Sequence, residues 1–290
     1  MATIDSFTPG TAIEGIYGVR RADRRLSRKG RPFLDVTLGD ATGAIRGVVL
    51  DQPDFFAERF SVGDTVRVTG RVSERGGKAE LLIDHISATT DIDEAPVDLL
   101  PRSHRDPDEL FGFVLHLADE IADPGLRALM ESFTSDEVLV EAWKQVPCTR
   151  GGHHSYRGGL IEHTVGVAAL CQTLCQWHPR LDVDLLLAAA LVHDIGHARA
   201  FRVGATFELT DEGRALGHLT LGDAMIGDRA AGCGLDRSRA LAVRHAVAWH
   251  HGAPPGQSPS SASPEALALL RANALEAGVK GRLEGSGPTD

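Results

Sequence analysis

The sequence predicts a chain of two parts, a small β-barrel followed by an all-helical domain. Up to about residue 88, hydrophobic residues alternate with polar ones, as they do in half-buried strands. Beyond residue 107, they recur every three to four residues, as in amphipathic helices. Ten of the 13 histidines also lie in the helical part, between His153 and His251. We therefore expect a multidomain α and β protein whose helical part carries the chemistry.

Five strands and a short helix account for the first part. The segment FLDVTL at residues 33–38 alternates, and GAIRGVVL follows it after the turn GDATG. A short helix in DQPDFFAERF comes next, and then two strands, DTVRVTGRVSE and KAELLIDHISA, joined by the turn RGG. Three strands, a helix and two strands are the order of the OB-fold, a five-stranded Greek-key barrel.

A basic segment, RRADRRLSRKGR at residues 20–31, carries seven Lys and Arg against one Asp, in a chain whose net charge is −10. On the predicted barrel it falls in the loop between the first two strands, beside the surface with which OB-folds bind oligonucleotides. We therefore expect single-stranded RNA or DNA as the partner, although a solvated surface is typical of such a run too. The residues predicted to bind it are Arg20, Arg21, Arg24, Arg25, Arg28, Phe33 and Arg46.

The predicted domains are 1–90 for the barrel, 91–107 for an acidic, proline-containing linker, 108–280 for the helical domain, and 281–290 for a disordered tail. The predicted helices cover residues 108–121, 125–132, 135–145, 160–177, 183–194, 214–230, 237–251 and 264–277. The segment ATFELT is the one hint of a strand among them.

The sequence shows no sign of a targeting or membrane segment. Its N-terminus lacks a basic start followed by an apolar core, and the longest apolar run is far shorter than the roughly 18 residues that span a bilayer. The four cysteines form no CxxC pair, and Cys171 and Cys175 fit core packing. We expect a soluble cytoplasmic protein with reduced thiols and no membrane partner, and a homo-oligomer is compatible with this sequence.

Ligand-type side chains occur on four of the predicted helices. They are His163 in GGLIEHTVGVAAL, His193 and Asp194 after the apolar LLLAAALV, His218 in RALGHLTLGDAM, and His250 and His251 in RHAVAWHHG. Imidazoles and a carboxylate that converge from facing helices suit a metal inside a helix bundle. The spacing is not that of a zinc finger, and there is no HExxH motif.

These strings carry a family resemblance. GGLIEHT, LVHDIGH and HAVAWHHG resemble the HD superfamily of metal-dependent phosphohydrolases. The longer HHSYRGGLIEHT, with GH at 217–218 and PEALALL near the end, is similar to the YhaM-type 3′-to-5′ exoribonucleases, which also carry an N-terminal OB-fold. The resemblance covers nearly the whole chain. It implies a metal-dependent exonuclease that hydrolyses single-stranded RNA, or DNA, from the 3′ end.

The resemblance also implies roles for individual residues. The metal ligands would be His163, His193, Asp194, His218, His250, His251 and Asn273. Among these, His193 and Asp194 would be catalytic, and Asp194 would bridge two ions. His154 and His245 would contact phosphate or orient a ligand. Mixed imidazole and carboxylate ligation favours one or two divalent transition-metal ions, manganese first and then iron, cobalt or nickel, over magnesium.

Two positions depart from the family pattern. His197 stands where the family has the lysine of HDIGK, and Asn273 in RANALEA stands at the metal-binding aspartate of ADNLDA. A carboxamide oxygen can coordinate a cation but brings no charge, so we expect a weaker or altered site. Glu276 could substitute, although a solvated helix face is the simpler interpretation of it.

Two alternative functions therefore stay open. One is an HD phosphohydrolase acting on nucleotides, with the OB-fold serving assembly. The other is a nucleic-acid-binding protein whose HD site has decayed, which the departures at His197 and Asn273 would suit.

Overall fold

The computed structural model of the chain describes residues 3–89 and 99–284. Contacts divide them into two compact units. The first holds the described residues up to Arg102 together with Val203–Glu208, and the second holds Ser103–Arg202 and the described residues from Leu209 onward. Within the described ranges, no helix is both long enough and apolar enough to cross a membrane.

Five strands of the first unit form a closed barrel in the order β1–β2–β3–β5–β4. The elements are β1 (Ala12–Leu26), β2 (Pro32–Gly39), β3 (Ala44–Val49), α1 (Pro53–Ala57), β4 (Thr65–Arg75) and β5 (Lys78–Ala88). Pairing of β1 with β4 closes the barrel, and β3 with β5 is the parallel pair. This arrangement confirms the OB-fold that the strand order predicted.

The alternation read in the sequence of β2 corresponds to the two sides of the barrel wall. Leu34, Val36 and Leu38 are at most 1% exposed and belong to the barrel core. The pairing of β4 with β5 shifts register at Gly70, where an added Cβ would lie 2.2 Å from the carbonyl oxygen of Leu82. Glycine is required there because the neighbouring backbone approaches so closely at this irregularity.

The basic segment is not a loop over most of its length, which corrects the sequence prediction. β1 continues to Leu26 and pairs with β2 from Ala22 opposite Val36 to Leu26 opposite Pro32, so only residues 27–31 form the turn. Strand pairing satisfies the backbone groups here, while most of the charged side chains of the segment are exposed. Charge on an outward face does not prevent a strand, because only the inward face must be apolar.

The second unit is helical, as predicted. Its helices are α2 (Pro107–Asp119), α3 (Pro124–Thr134), α4 (Glu137–Gln145), α5 (Gly159–Trp177), α6 (Val183–Val192), α7 (His197–Ala200), α8 (Asp211–Gly232), α9 (Arg237–Ala248) and α10 (Pro264–Leu283). Two short paired strands, β6 (Phe201–Val203) and β7 (Phe207–Leu209), lie between α7 and α8 around the ATFELT segment. Seven helices start at a side chain that caps a backbone N–H: Asp106, Asp123, Asp136, Asp182, Thr210, Asp236 and Ser263.

α6 is buried on every side from Leu185 to Val192. It ends two residues before the predicted end, so that His193 is its C-cap and Asp194 lies in the following turn. The reason is local, because His193 Nδ1 donates to the carbonyl of Ala190 and competes for the acceptor of the next helical hydrogen bond. α9 likewise ends at Ala248, before His250, whose Nδ1 donates to the carbonyl of Val247.

The predicted linker and tail fall largely outside the described residues. Residues 90–98 contain most of the acidic part of the linker, and residues 285–290 contain most of the tail. α10 extends to Leu283, so its last turn includes the first residues of the segment for which the sequence predicted a tail.

Candidate metal centre

Asp194 is the centre of the site, and α6 explains its position. The helix packs in the core of the second unit, and the turn after it leaves the carboxylate 3% exposed. Asp194 Oδ2 lies 3.7 Å from His163 Nε2 and 3.6 Å from His193 Nε2. Its other oxygen, Oδ1, lies 3.1 Å from His250 Nε2 and 3.5 Å from His218 Nε2. The two oxygens of one carboxylate therefore face two groups of imidazole nitrogens.

The first group consists of His163 on α5 and His193, whose Nε2 atoms are 3.2 Å apart. His193 Nδ1 donates to the carbonyl of Ala190 at 2.7 Å, and His163 Nδ1 donates to Glu276 Oε2 at 2.5 Å. Because a carbonyl and a carboxylate can only accept, both imidazoles carry a proton on Nδ1 and direct Nε2 inward. Burial lowers the pKa of His163, but Glu276 and Asp194 outweigh it and raise that pKa, so without metal a proton on His163 Nε2 can lie where a bound cation would take its place.

The second group consists of His218, His250 and His251. His250 Nδ1 donates to the carbonyl of Val247 at 2.6 Å, which leaves its Nε2 as the inward lone pair. His218 lies just after Gly217, where α8 bends with φ 71° and ψ 165°, and its Nε2 is 3.2 Å from His251 Nε2. The bend at Gly217 uses a left-handed backbone conformation that glycine adopts without strain.

A metal ion fits these residues. Asp194 Oδ1 and His250 Nε2 are buried without a hydrogen-bond partner among the described residues, although they lie 3.1 Å apart. Burial lowers the pKa of His193 to about 3, so this ring is neutral. Burial raises the pKa of Asp194, but the surrounding histidines outweigh it and hold that pKa well below its usual range. A carboxylate among imidazole nitrogens is the donor set of a divalent transition metal.

Asn273 on α10 completes the first group. Its amide nitrogen donates to the carbonyl of His250 at 3.2 Å, which identifies the other atom of the carboxamide as the oxygen. That oxygen lies 2.9 Å from His163 Nε2. The structure therefore brings Asn273 to the position of a metal ligand, as the resemblance implied, but with a neutral oxygen.

Glu276 corrects the sequence analysis, which favoured a solvated helix face for it. Its side chain is 15% exposed, and its two oxygens bind His163 Nδ1 and His154 Nε2 at 2.5 and 2.8 Å. Burial raises the pKa of Glu276, yet these hydrogen bonds lower it to about 2. Its position three residues after Asn273 on the same helix was the signal available in the sequence, since residues at that spacing share a face.

Three neighbours of the site are not among the residues predicted to bind metal or substrate. His197 stacks on His218 with ring centroids 4.0 Å apart, and its Nδ1 is buried without a hydrogen-bond partner within the described part of the chain. Cys148 and His153, from the connection between α4 and α5, contact each other at 3.7 Å beside Asp194. A cleft of about 430 Å³ is lined by these three residues together with Asp194, His218, His250, His251 and Asn273.

Comparison with known proteins agrees with both units. The HD domain model matches residues 160–278, and the model of an OB-fold nucleic acid binding domain matches residues 16–88. The 3′-5′ exoribonuclease YhaM of Halalkalibacterium halodurans is 27% identical over 243 residues, which are 83% of this chain and 75% of that protein. The YhaM of Oceanobacillus iheyensis is 27% identical over 257 residues, covering 87% of this chain and 80% of that protein.

This chain is a homologue of the YhaM exoribonucleases. The YhaM of Shouchella clausii gives the same result, with 26% identity over 84% of this chain and 76% of that protein. Among solved structures, the second OB-fold domain of replication protein A from Methanococcus maripaludis is 22% identical, covers 31% of this chain and 94% of that one, and has a TM-score of 0.26. The OB-fold of this homologue follows instead from its strand order and from the matching family model.

The two remaining histidines predicted for the site lie in different places. His154 is buried beside the centre and has a positive φ of 50°. Its Nε2 contacts Glu276, and its Nδ1 lies 2.7 Å from the hydroxyl of Tyr156. His245 is not in any described group of converging ligand atoms. Its Nε2 accepts from the backbone N–H of Ser263 at 3.1 Å, at the N-cap of α10.

The residues predicted to bind nucleic acid lie together on the barrel, but they differ in exposure and in whether their side chains are already paired. Arg46 is paired with Asp35 and Glu80 at 2.8 and 2.5 Å, so its guanidinium already has carboxylate partners. Arg20 is partly buried and donates to the carbonyl of Asp40. Of these predicted residues, Arg21, Arg24, Arg25 and Arg28 are exposed, the first three of them in ion pairs with carboxylates. Phe33 is half-buried opposite Arg25.

Proposed function

We propose that the chain is a metal-dependent 3′-to-5′ exoribonuclease that hydrolyses phosphodiester bonds of single-stranded RNA. The observation that carries this proposal is the Asp194 carboxylate, whose two oxygens face two separate groups of imidazole nitrogens. The names of its homologues support RNA as the substrate and the 3′ end as the starting point. The OB-fold supports a strand-binding role for the first unit.

Each oxygen of Asp194 would hold one ion. His163, His193 and Asn273 would hold the ion at Oδ2, and His218, His250 and His251 the ion at Oδ1. Two bound metals supply Lewis-acid stabilisation of the phosphodiester and a water activated for attack. Because imidazole nitrogens dominate the donor set, the candidates are manganese, iron, cobalt and nickel rather than magnesium.

Other residues of the chain would orient the ligands and the substrate. Glu276 holds the proton of His163 on Nδ1, and His154 holds Glu276 in turn, so both act behind the ligands. His197 lines the cleft with an unpaired buried nitrogen and would contact the scissile phosphate. His245 would act on the position of α10 through the N–H of Ser263.

The barrel would bind the RNA strand before cleavage. The exposed arginines Arg21, Arg24, Arg25 and Arg28 would contact phosphates, and Phe33 would stack on a base. Arg20 and Arg46, already paired within the barrel, would fix the shape of that surface. DNA of the same form would compete as a substrate. The four free thiols of the described residues support a cytoplasmic location.

Digestion of RNA labelled at the 5′ end tests the proposal. Protein loaded with manganese, iron, cobalt or nickel should shorten the labelled strand progressively from the 3′ end, and chelation should stop it. The double variant His193→Ala, Asp194→Ala should lose both its metal and its activity. Unchanged metal content in that variant would contradict the site, and shortening from the 5′ end would contradict the direction.

The same assay separates the rivals. A nucleotide phosphohydrolase would release phosphate from free nucleotides while leaving RNA intact. A decayed enzyme would bind the labelled strand but cleave it with none of the four metals.

A further inference from the structure

Cys148 places a thiol beside the centre, and this side chain has no role in the proposed function. Cys148 is 2% exposed, and its Sγ lies 3.5 Å from Asp194 Oδ2 and 3.7 Å from His153 Nε2. It belongs to two groups of three ligand-type atoms that lie within 4.8 Å of one another, one with His153 and His163 and one with Asp194 and His197. Among the described residues, no other cysteine belongs to such a group.

The position of this sulfur is fixed by the backbone. Cys148 N–H donates to the carbonyl of His154 at 3.1 Å, and the Thr149 hydroxyl donates to the carbonyl of His153 at 2.7 Å. His154 adopts a left-handed conformation, rare for a residue with a side chain, where this loop closes. A closed loop of this kind holds Sγ against Asp194 without relying on side-chain packing alone.

Two further observations point to a cation at this place. The Nε2 atoms of His163 and His193 converge to 3.2 Å beside the same Asp194 oxygen that Sγ contacts. On its other side, the buried Asp194 Oδ1 has no hydrogen-bond partner within the described residues. A buried thiol beside the carboxylate oxygen that both imidazoles face offers a further donor to an ion held there.

The described residues supply few negative charges to the proposed ion, and a coordinating thiol would add one. Asp194 is the one carboxylate facing both imidazole groups among the described residues, since Asn273 supplies a neutral oxygen and Glu276 binds the outer nitrogen of His163. A divalent ion is the largest local charge in such a site, and each anionic ligand offsets part of it. Burial and the neighbouring Asp194 raise the pKa of the Cys148 thiol, so it is neutral without an ion, and coordination to a dication would supply there the negative charge that the carboxamide lacks.

We propose that Cys148 is a thiolate ligand of the ion held by His163, His193 and Asp194 Oδ2, an inference that rests on the proposed metal centre. Coordination replaces the S–H bond by a sulfur–metal bond, and the proton is released to solvent. A sulfur donor also selects the softer ions, so that this position takes zinc, cobalt or iron in preference to manganese.

Cobalt substitution tests the ligand directly, without an activity assay. Full-length protein loaded with Co²⁺ should show a thiolate-to-cobalt charge-transfer band in the near ultraviolet, in addition to the visible bands of bound cobalt. Cys148→Ala should lose the charge-transfer band and bind cobalt at least about tenfold more weakly, the minimum effect of disturbing a ligand environment. Cys171→Ala, which removes a thiol that is buried elsewhere, should keep both.

The outcomes separate this inference from the proposed function. Visible cobalt bands without a charge-transfer band in the wild-type protein would overturn the role of Cys148 and leave the metal centre standing. Failure to bind cobalt, zinc, iron or manganese would overturn both. X-ray absorption of the zinc-loaded wild-type protein decides the question even if Cys148→Ala does not fold: a sulfur scatterer at about 2.3 Å supports the ligand, and a shell of nitrogen and oxygen alone contradicts it.

Discussion

At the scale of residues, the centre depends on which nitrogen of each imidazole carries the proton. Main-chain carbonyls determine this for His193 and His250, and they cannot be mutated away. His163 depends instead on the side chain of Glu276, from a helix more than 100 residues further along the chain. A charged acceptor behind a ligating imidazole raises its basicity and fixes its orientation.

Glu276→Gln should therefore weaken metal binding by about 10- to 100-fold, the usual effect of changing the partner behind a ligand. The carboxamide keeps the shape but removes the charge that holds the His163 proton on Nδ1. Metal affinity measured by chelator competition checks this. Glu265→Gln is the matched control, because Glu265 lies on the same helix and accepts from the N–H of Asp182, away from the imidazoles. Equal losses in the two variants would show that only the helix was disturbed.

Asn273→Asp should have opposite effects on the metal-free and metal-bound protein. Without metal, the new carboxylate oxygen would face the carbonyl of His250 in place of an N–H donor, at a cost of about 1–3 kcal/mol in the free energy of unfolding. With metal, a full negative charge would lie beside a dication, where local electrostatics are strongest.

We therefore expect Asn273→Asp to lower the metal concentration that gives half-maximal hydrolysis, with little change at saturating metal because mass action fills a weak site. The measurement is a titration of activity against free manganese and cobalt for both proteins. Superimposable curves would mean that residue 273 does not bind an ion. Activity found in the variant alone would favour the decayed-enzyme alternative.

At the scale of elements, the position of Asp194 depends on where α6 begins as well as where it ends. Asp182 caps α6 and Asp123 caps α3, and both carboxylates bind Arg239 in the first turn of α9. One guanidinium thus ties the starts of three helices together. Hydrogen bonds from the backbone N–H of Leu126, reinforced by Arg239, lower the pKa of Asp123.

Arg239→Met should lower the free energy of unfolding by about 1–3 kcal/mol at neutral pH, because it removes hydrogen bonds to charged partners. A depressed pKa means that the Asp123 contribution is present above the unfolded value near 4 and is lost as the pH falls through the folded value. The difference between the two proteins should therefore shrink below about pH 4. Urea unfolding across this pH range checks the prediction. Arg237→Met, also in the first turn of α9 but exposed, should change stability by less than about 0.5 kcal/mol.

At the scale of the whole molecule, two units divide the proposed work between strand binding and cleavage. The net charge of −10 opposes the approach of RNA, so the basic segment on the barrel must supply local attraction. Some of its exposed arginines are already paired with neighbouring carboxylates, as Arg21 is with Asp23 and Arg24 with Asp54. Exposed pairs of this kind are weak and can be exchanged for phosphate contacts.

Replacing Arg21, Arg24, Arg25 and Arg28 by serine should weaken binding of single-stranded RNA and flatten its salt dependence. The log–log slope should fall by about 0.7 for each phosphate that the variant no longer neutralises. Cleavage of a dinucleotide should be nearly unchanged. A variant with four exposed arginines of the helical unit replaced instead (Arg105, Arg180, Arg214 and Arg237) controls for net charge. The same slope in all three proteins would leave the basic segment as solvated surface.

The sequence by itself determined the elements and the ligand motifs. Alternation in β2 and helical periodicity in α3 are local patterns, and capping residues such as Asp182 act within one turn, so each could be read without knowing the fold. The predicted homology to the YhaM proteins is confirmed by the relatives. The structure groups the five predicted histidine ligands with Asp194 and brings Asn273 to His163, whereas His245, predicted to contact substrate, lies apart.

Only the tertiary structure decided which groups support those ligands. From the sequence, Glu276 was interpreted as a solvated charge, but the packing of α10 beside α5 brings it to His163. No motif in the sequence around Cys148 indicated that its sulfur would contact Asp194. The carboxylates that bind Arg46 come from two other strands, and the strand partner of the basic segment lies across a turn. Contacts between residues far apart in the chain depend on how the elements pack, and no local pattern records them.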